Sequence, residues 1–147
     1  MPFNRKAYDS KTVKDGLRRK VRGAMNAAAE AAAEEMRQII ETDTLTRASA
    51  ERGGGRIETG DMLESVQSTK AQISESGKSY QNFFGWSTAD RHAHSERMAD
   101  KNNQYKSYFD LQDLGFTHAS GTQIPGMHAT EAGRRKYREV MEEQWRN

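Results

Sequence analysis

The residues with side chains suited to chemistry are few, and a histidine pair is the first to consider. His92 and His94 stand two positions apart in a polar stretch, so they would share one face of an extended segment. A metal ion would need a further ligand, which Asp90 or Glu96 has the chemistry to supply. Such pairs occur often by chance in polar loops, and we expect no metal site here.

Other catalytic patterns find little support in the sequence. Asp110 and Asp113 come nearest to a paired-carboxylate site, but they would lie on adjacent turns of one short helix, where they favour solubility over acid–base work. No serine stands in a Gly-x-Ser-x-Gly pattern, and the chain has no cysteine. The triple glycine at 53–55 is not followed by the Gly-Lys-Ser/Thr of a phosphate-binding loop. We therefore expect no enzyme, no metal and no cofactor.

Charge is distributed unevenly along the chain. The formal net charge is +2, but residues 1–22 hold eight Lys and Arg against two Asp, which gives this end +6 and leaves −4 for the rest. This end favours an anionic partner, or else it is the solvated start of a helix. A second basic run at 134–138 is followed by glutamates that allow pairing within one helix. The candidate contacts with DNA or another anionic partner are Arg18, Arg19, Lys20, Arg22, Arg134, Arg135 and Lys136.

The composition predicts one small domain that depends on partners. Apolar residues make up 34% of the 147 residues, and the mean hydropathy is −1.02. Such a chain buries a modest core and leaves segments that become ordered against a partner. No stretch is apolar enough to cross a membrane, and the N-terminus lacks the apolar region of a secretory signal. With no cysteine, we expect folding in a reducing cytoplasm.

The first third of the chain predicts one long helix over residues 10–41. About 32 residues at 1.5 Å each make a rod of roughly 48 Å, so part of it must project or pack against another copy. We divide the chain into this N-terminal helix or arm (1–41), a flexible linker (42–58) and an α+β core (59–147). Apolar residues at spacings of three and four mark one helix face: Val13, Leu17, Val21, Met25 (or Ala24), Ala28, Ala32, Met36 and Ile39.

The core predicts a small antiparallel sheet between helices. Residues 66–74 and 78–87 read as a hairpin that turns at Ser76-Gly77, and the polar stretch 88–104 reads as an exposed loop. Aromatic and leucine side chains recur at helical spacing over 105–114, which predicts a helix that ends at Gly115, a typical C-terminal cap. The last helix, 130–146, should pack on the sheet, and Gly133 is a weak point inside it. Its apolar stripe consists of Tyr137, Val140, Met141 and Trp145.

Three short motifs follow one another along the chain. The first follows the long helix, the second ends the aromatic stripe at a glycine, and the third leads into the last helix. Thr59 in the first is also a candidate N-cap of a short helical turn. Their residues are Thr59, Gly60, Leu63, Ser65 and Val66 in the first, Tyr105, Tyr108, Leu111, Gly115 and Phe116 in the second, and Pro125, Gly126, Met127 and Ala129 in the third. In this order the three motifs resemble the tail-completion or head-to-tail connector (neck) proteins of long-tailed bacteriophages.

The resemblance implies an α+β subunit that forms a ring, usually of six copies. Such a ring lies in the virion neck, between head-completion or stopper and adaptor proteins on one side and the tail tube or tail terminator on the other. Assembly takes place in the host cytoplasm, and the basic side chains would face genomic DNA in the channel. The loop 88–104 and the basic start of the first helix depart from the family pattern, so tail completion, stopper and tail terminator all stay open.

One alternative from another class also fits the charges. The +6 end together with the cluster 134–138 would suit a small nucleic-acid-binding protein. Binding to DNA that weakens steeply with salt would favour this alternative. Self-association without DNA binding would favour the ring.

Overall fold

The computed structural model describes residues 10–43, 61–93, 95–96, 106–117, 121 and 123–146. These residues form an α+β fold with a long N-terminal helix, small antiparallel two-stranded sheets and a C-terminal helix, as the sequence predicts. The helices are α1 (Ser10–Thr42), α2 (Asp61–Glu64), α3 (Thr88–Ala93), α4 (Tyr108–Leu114) and α5 (Ala129–Arg146). The strands are β1 (Gln67–Ser68), β2 (Gln72–Ile73), β3 (Tyr80–Gln81), β4 (Phe84–Gly85), β5 (Ser95–Glu96), β6 (Lys106–Ser107), β7 (Gly115–Thr117) and β8 (Gln123–Pro125).

The pair α1 and α5 makes the most extensive contact in the fold. The two helices run antiparallel, since Lys20 lies beside Trp145 while Ala32 lies beside Gly133. Small side chains on α1 allow the backbones to come close. The predicted face of α1 is confirmed from Ala24 onward, with Ile40 buried in place of Ile39. Its buried residues are Ala24, Ala28, Ala29, Ala32, Ala33, Met36 and Ile40.

The packing of α5 differs from the prediction, because α5 lies mainly on α1 and only secondarily on the strands. Two-residue ladders offer little surface to a helix, whereas the alanine-rich face of α1 offers a continuous one. The strand contact is the stacking of Phe84 on Tyr137, with ring centroids 5.9 Å apart. The predicted stripe of α5 is consequently half-buried, and Trp145 at its end is 52% exposed.

The predicted hairpin is present as two short ladders. β1 pairs with β4 and β2 with β3, both antiparallel, and the turn at Ser76-Gly77 is confirmed. Between the ladders, the side chain of Asn82 donates to the Met25 carbonyl at 2.7 Å, and the Ala71 amide donates to the Asn26 side chain at 2.7 Å. The chain thus directs polar groups to α1 at the point where the ladder is interrupted.

The core lies where α1, the hairpin and α4 meet. Trp86 and Phe109 are both buried, with their rings 5.4 Å apart, and the indole of Trp86 donates to the Met62 carbonyl at 2.8 Å. Tyr80, Phe84 and Trp86 lie at even-numbered positions of the second hairpin arm and are at least half-buried, whereas Gln81 and Phe83 are exposed. Among the described residues, no helix is both long and apolar enough to span a membrane.

The predicted loop 88–104 contains regular structure at its start. Thr88–Ala93 is helical because Ser87 caps it: its hydroxyl donates to the Asp90 carboxylate at 2.6 Å and accepts from the Asp90 amide at 3.1 Å. Strand β5 then pairs with β6, so the following helix begins at Tyr108 instead of Tyr105. Residues 97–104 and most of the linker 42–58 lie outside the described residues.

Candidate interaction surfaces

The second and third motifs fold into one structural unit. β7 pairs with β8 in antiparallel register, with Gly115 opposite Pro125. Gly115 caps α4 at a φ of 89°, as predicted, and a Cβ on it would lie 2.8 Å from the Gly126 amide nitrogen. A Cβ on Gly126 would lie 2.6 Å from the backbone carbon of Leu114. Both glycines are therefore required by two backbone segments that pass in close contact.

Asp113 fastens this unit to the start of α5. Its carboxylate accepts a hydrogen bond from the Thr130 amide at 3.3 Å, and its carbonyl accepts one from the His128 amide at 3.0 Å. The expected solvent-facing role is wrong for Asp113, which is buried and supplies the N-terminal cap of α5 from a different helix. Asp110 instead pairs with Arg91 of α3 at 3.4 Å. The two aspartates therefore have separate structural contacts.

The remaining motif residues serve the core and its edges. Val66 is buried, its carbonyl accepts from the Arg37 guanidinium at 2.8 Å, and Leu63 packs beside it against the core. Met127 and Ala129 are buried at the start of α5. Tyr108, Leu111, Phe116 and Ser65 are half-buried, and Pro125 is exposed; Thr59, Gly60 and Tyr105 lie outside the described residues.

The basic side chains of α1 divide into two groups. Arg18 and Arg19 are exposed, and Arg18 pairs weakly with Asp15 at 3.8 Å. Lys20 faces the protein instead: its ammonium donates to the Trp145 carbonyl at 3.3 Å and lies 5.1 Å from the centre of that ring. The guanidinium of Arg22 lies 5.9 Å from the Tyr80 ring.

The basic cluster of α5 is separate from that of α1. Arg134 and Arg135 are exposed, and Lys136 pairs with Glu139 at 3.7 Å, as the sequence allowed. In α1, Lys20 lies beside Trp145 and Ala32 lies beside Gly133, so these two α1 positions are 12 residues apart. At 1.5 Å per residue the clusters lie about 18 Å apart along the axis. The structure does not join them into one patch.

The register of the helix pair places one opposite charge beside each half of α5. Residues 134–138 run beside residues 27–31 of α1, which hold Glu30. Residues 139–143 run beside residues 22–26 of α1, which hold Arg22.

The start of α1 reaches past the end of α5. We call residues 10–19 the α1 tip. Two of its side chains, Val13 and Leu17, continue the apolar face but are each 49% exposed, since α5 ends beside Lys20. At the end of α5 lies a shallow apolar depression of about 290 Å³, whose lining we call the α5 patch. Among the described residues this lining consists of Met141, Glu142, Trp145 and Arg146.

A second exposed apolar surface lies at the opposite end of α5. Leu114 is 72% exposed and borders an open groove of about 460 Å³ beside the β7–β8 pair. Phe116, Ile124 and Pro125 line the same groove. The molecule thus presents apolar surface at both ends of its helix pair.

Among the residues that the structure describes, one titratable group has a clearly shifted pKa. Burial raises the pKa of the Tyr137 phenol above its ordinary 10.0, against an opposing effect of its hydrogen bond to Asn82. The phenol donates to the Asn82 side-chain oxygen at 2.7 Å. This contact joins α5 to the hairpin, and in the described part of the chain no three His, Asp or Glu side chains are arranged to hold a metal ion.

Comparison of the chain with models of protein families, with curated proteins and with solved structures finds no match. The functional argument therefore depends on the residues themselves. Sequence reasoning missed two structural residues, Asp113 and Gly133. The position of Asp113, just before the helix-ending Gly115, hinted at a structural role, but its hydrogen-bond partner in α5 is identified only by the fold.

Proposed function

We propose that the chain is a structural virion protein of a tailed bacteriophage, which forms a ring in the neck and joins the head-completion proteins to the tail tube. The observation that carries this proposal is the α1 tip. It extends the apolar face of α1 beyond the end of α5, so that Val13 and Leu17 remain half exposed. A lone subunit gains nothing from this extension, whereas a repeated subunit can bury it against a neighbour.

Five motif residues support a structural role. Gly115 and Gly126 are accounted for by close backbone contact, and Asp113, just before Gly115, by helix capping. Val66, Met127 and Ala129 are accounted for by burial. Since these contacts involve no reacting group, we assign the function to the exposed surfaces.

In this proposal the subunit acts through contacts alone. The ring has about six copies, meets a stopper or adaptor on the head side and a tail tube or terminator protein on the tail side, and surrounds the genomic DNA. It assembles in the host cytoplasm. The exposed Arg19 would face the DNA phosphates in the channel.

The test uses tails from the phage that encodes the chain, assembled without this protein. Purified chain is added, and tail ends are imaged by negative-stain microscopy while head joining is scored by infectivity. We expect an added ring at the tail end and restored joining. Tails that stay unchanged and unable to join heads would refute the neck assignment.

A second candidate, nucleic-acid binding, is favoured by the exposure of Lys14, Arg18 and Arg19 on one projecting helix end. Three phosphate contacts from these side chains would give a slope of log affinity against log salt of about −2.7. Binding of the isolated chain to duplex DNA with such a slope, together with indifference to tails, would support this candidate instead.

A further inference from the structure

The apolar surface and the charge of the α1 tip restrict the kind of surface that can bind it. Val13 and Leu17 present an apolar strip, and the described tip holds four basic residues and one acidic residue, a net +3. Two tips would repel each other, because like charges would face across the contact. The partner surface must therefore combine apolar area with negative charge.

The α5 patch has this combination. Its depression is lined by Met141 and Trp145, and its Glu142 is balanced by its Arg146. Glu139 and Glu143 at flanking positions bring residues 139–146 to a net −2. The pairing already occurs once inside the subunit, where Lys20 lies over the Trp145 ring. Trp145 nevertheless remains 52% exposed, so surface is available for a second contact.

The tip cannot reach the α5 patch of its own chain. α1 is one continuous helix, and α5 ends beside Lys20, so Val13 and Leu17 lie beyond that end. Leu17 and Lys20 are three residues apart, or about 4.5 Å along the axis, and Val13 is about 10 Å away. A contact of Val13 and Leu17 with this patch would therefore come from a second copy of the chain.

We infer that the α1 tip of one subunit seats Val13 and Leu17 on the α5 patch of a neighbouring copy, with Lys14 and Arg18 beside Glu142 and Glu143. This inference rests on the proposed function and names the contact that builds the ring. Both surfaces lie at the same end of the helix pair. A contact repeated from copy to copy therefore brings little axial advance, which is the condition for closing into a ring instead of growing as a filament.

The groove beside Leu114 would give a different assembly. It lies at the opposite end of α5, whose 18 residues span about 27 Å. A tip bound there would advance each copy along the axis by roughly that distance, which produces an open filament. The two acceptor surfaces are thus distinguishable by experiment.

The test exploits the absence of native cysteine. Chains carrying Leu17→Cys are mixed with differently tagged chains carrying Met141→Cys and oxidised, so a disulfide between the two tags can form only between copies. Parallel mixtures use Leu114→Cys for the opposite groove and Glu75→Cys, in the exposed hairpin turn, as the control. We expect roughly tenfold more mixed dimer with Met141→Cys than with the control, since a disulfide needs Cα atoms within about 7 Å.

Charge reversal gives an independent readout. Glu142→Lys with Glu143→Lys should abolish self-association in sedimentation, and adding Lys14→Glu with Arg18→Glu should restore it. These positions are exposed, so the variants should fold. Equal crosslinking of Met141→Cys and Glu75→Cys, preferential crosslinking of Leu114→Cys, or no rescue by the reversed pair would each overturn the inference. Tail docking by a chain that fails these tests would leave the neck assignment standing, so the two failures are distinguishable.

Discussion

Replacing Gly133 with alanine tests the close contact between α5 and α1. A Cβ at this position would lie 2.7 Å from Cε2 of Phe84, 3.0 Å from Cγ of Met36 and 3.2 Å from the carbonyl oxygen of Ala32. Met36 is fully buried and the Phe84 ring is stacked on Tyr137, so neither side chain can move without disturbing others. The third neighbour is helix backbone and cannot yield.

Two opposing effects set the magnitude. Alanine in place of glycine favours a helix interior by about 1 kcal/mol. Overpacking a filled site typically costs 1–3 kcal/mol, and we take about 3 because two contacts fall at or below 3.0 Å. Gly133→Ala should therefore lower the free energy of unfolding by about 2 kcal/mol, a fall in Tm of roughly 4–8 °C.

The matched control is Gly23→Ala in α1. A Cβ there would meet nothing within 4 Å, so helix propensity acts alone. This variant should gain up to about 1 kcal/mol, and the two alanine variants should move Tm in opposite directions in calorimetry or circular dichroism. If Gly133→Ala were as stable as Gly23→Ala, the close approach of α5 to α1 would be wrong.

Three further predictions concern the contacts that hold α5. Gly126→Ala should cost about 3 kcal/mol or more in urea unfolding, because its Cβ would meet the backbone of Leu114; unchanged stability would contradict the close crossing. Asp113→Ala should cost about 1–2 kcal/mol through loss of the cap on Thr130, and a neutral result would show that the cap contributes nothing. Tyr137→Phe should cost about 1 kcal/mol at neutral pH. Folding raises the pKa of Tyr137, so its phenol stabilises the fold fully at pH values below the pKa of the unfolded chain, near 10. This stabilisation declines as the pH rises through the higher pKa of the folded chain. Above about pH 10 the wild type should therefore lose more unfolding free energy than Tyr137→Phe, and parallel stability curves for the two proteins would contradict this.

The long helices were predictable because their signals are local. Apolar spacing and alanine content define α1 to within one residue at its end, and Gly115 marks the end of α4. The start of α3 was also locally encoded, in the Ser87-x-x-Asp90 cap, but the polar composition of 88–104 outweighed it. Local signals thus predict elements better than they predict their length.

The roles of Gly133 and Asp113 depend on contacts distant in sequence. Gly133 reads as a weak point of a helix until the fold places Met36 and Phe84 against it. Asp113 reads as a surface carboxylate until the β7–β8 pair brings Thr130 next to it. For the same reason, only the fold separates the two basic clusters and leaves the α1 tip beyond the end of α5.

The measurement that tests the central claim most directly is the mass of the assembly that the purified chain adds to tail ends. Tails prepared without the protein are saturated with the chain, and the bound copies are counted from mass and from class averages of the tail end. The account predicts a closed ring of about six copies, which Glu142→Lys with Glu143→Lys abolishes. A single bound copy, an open filament, or no binding to tails would contradict it.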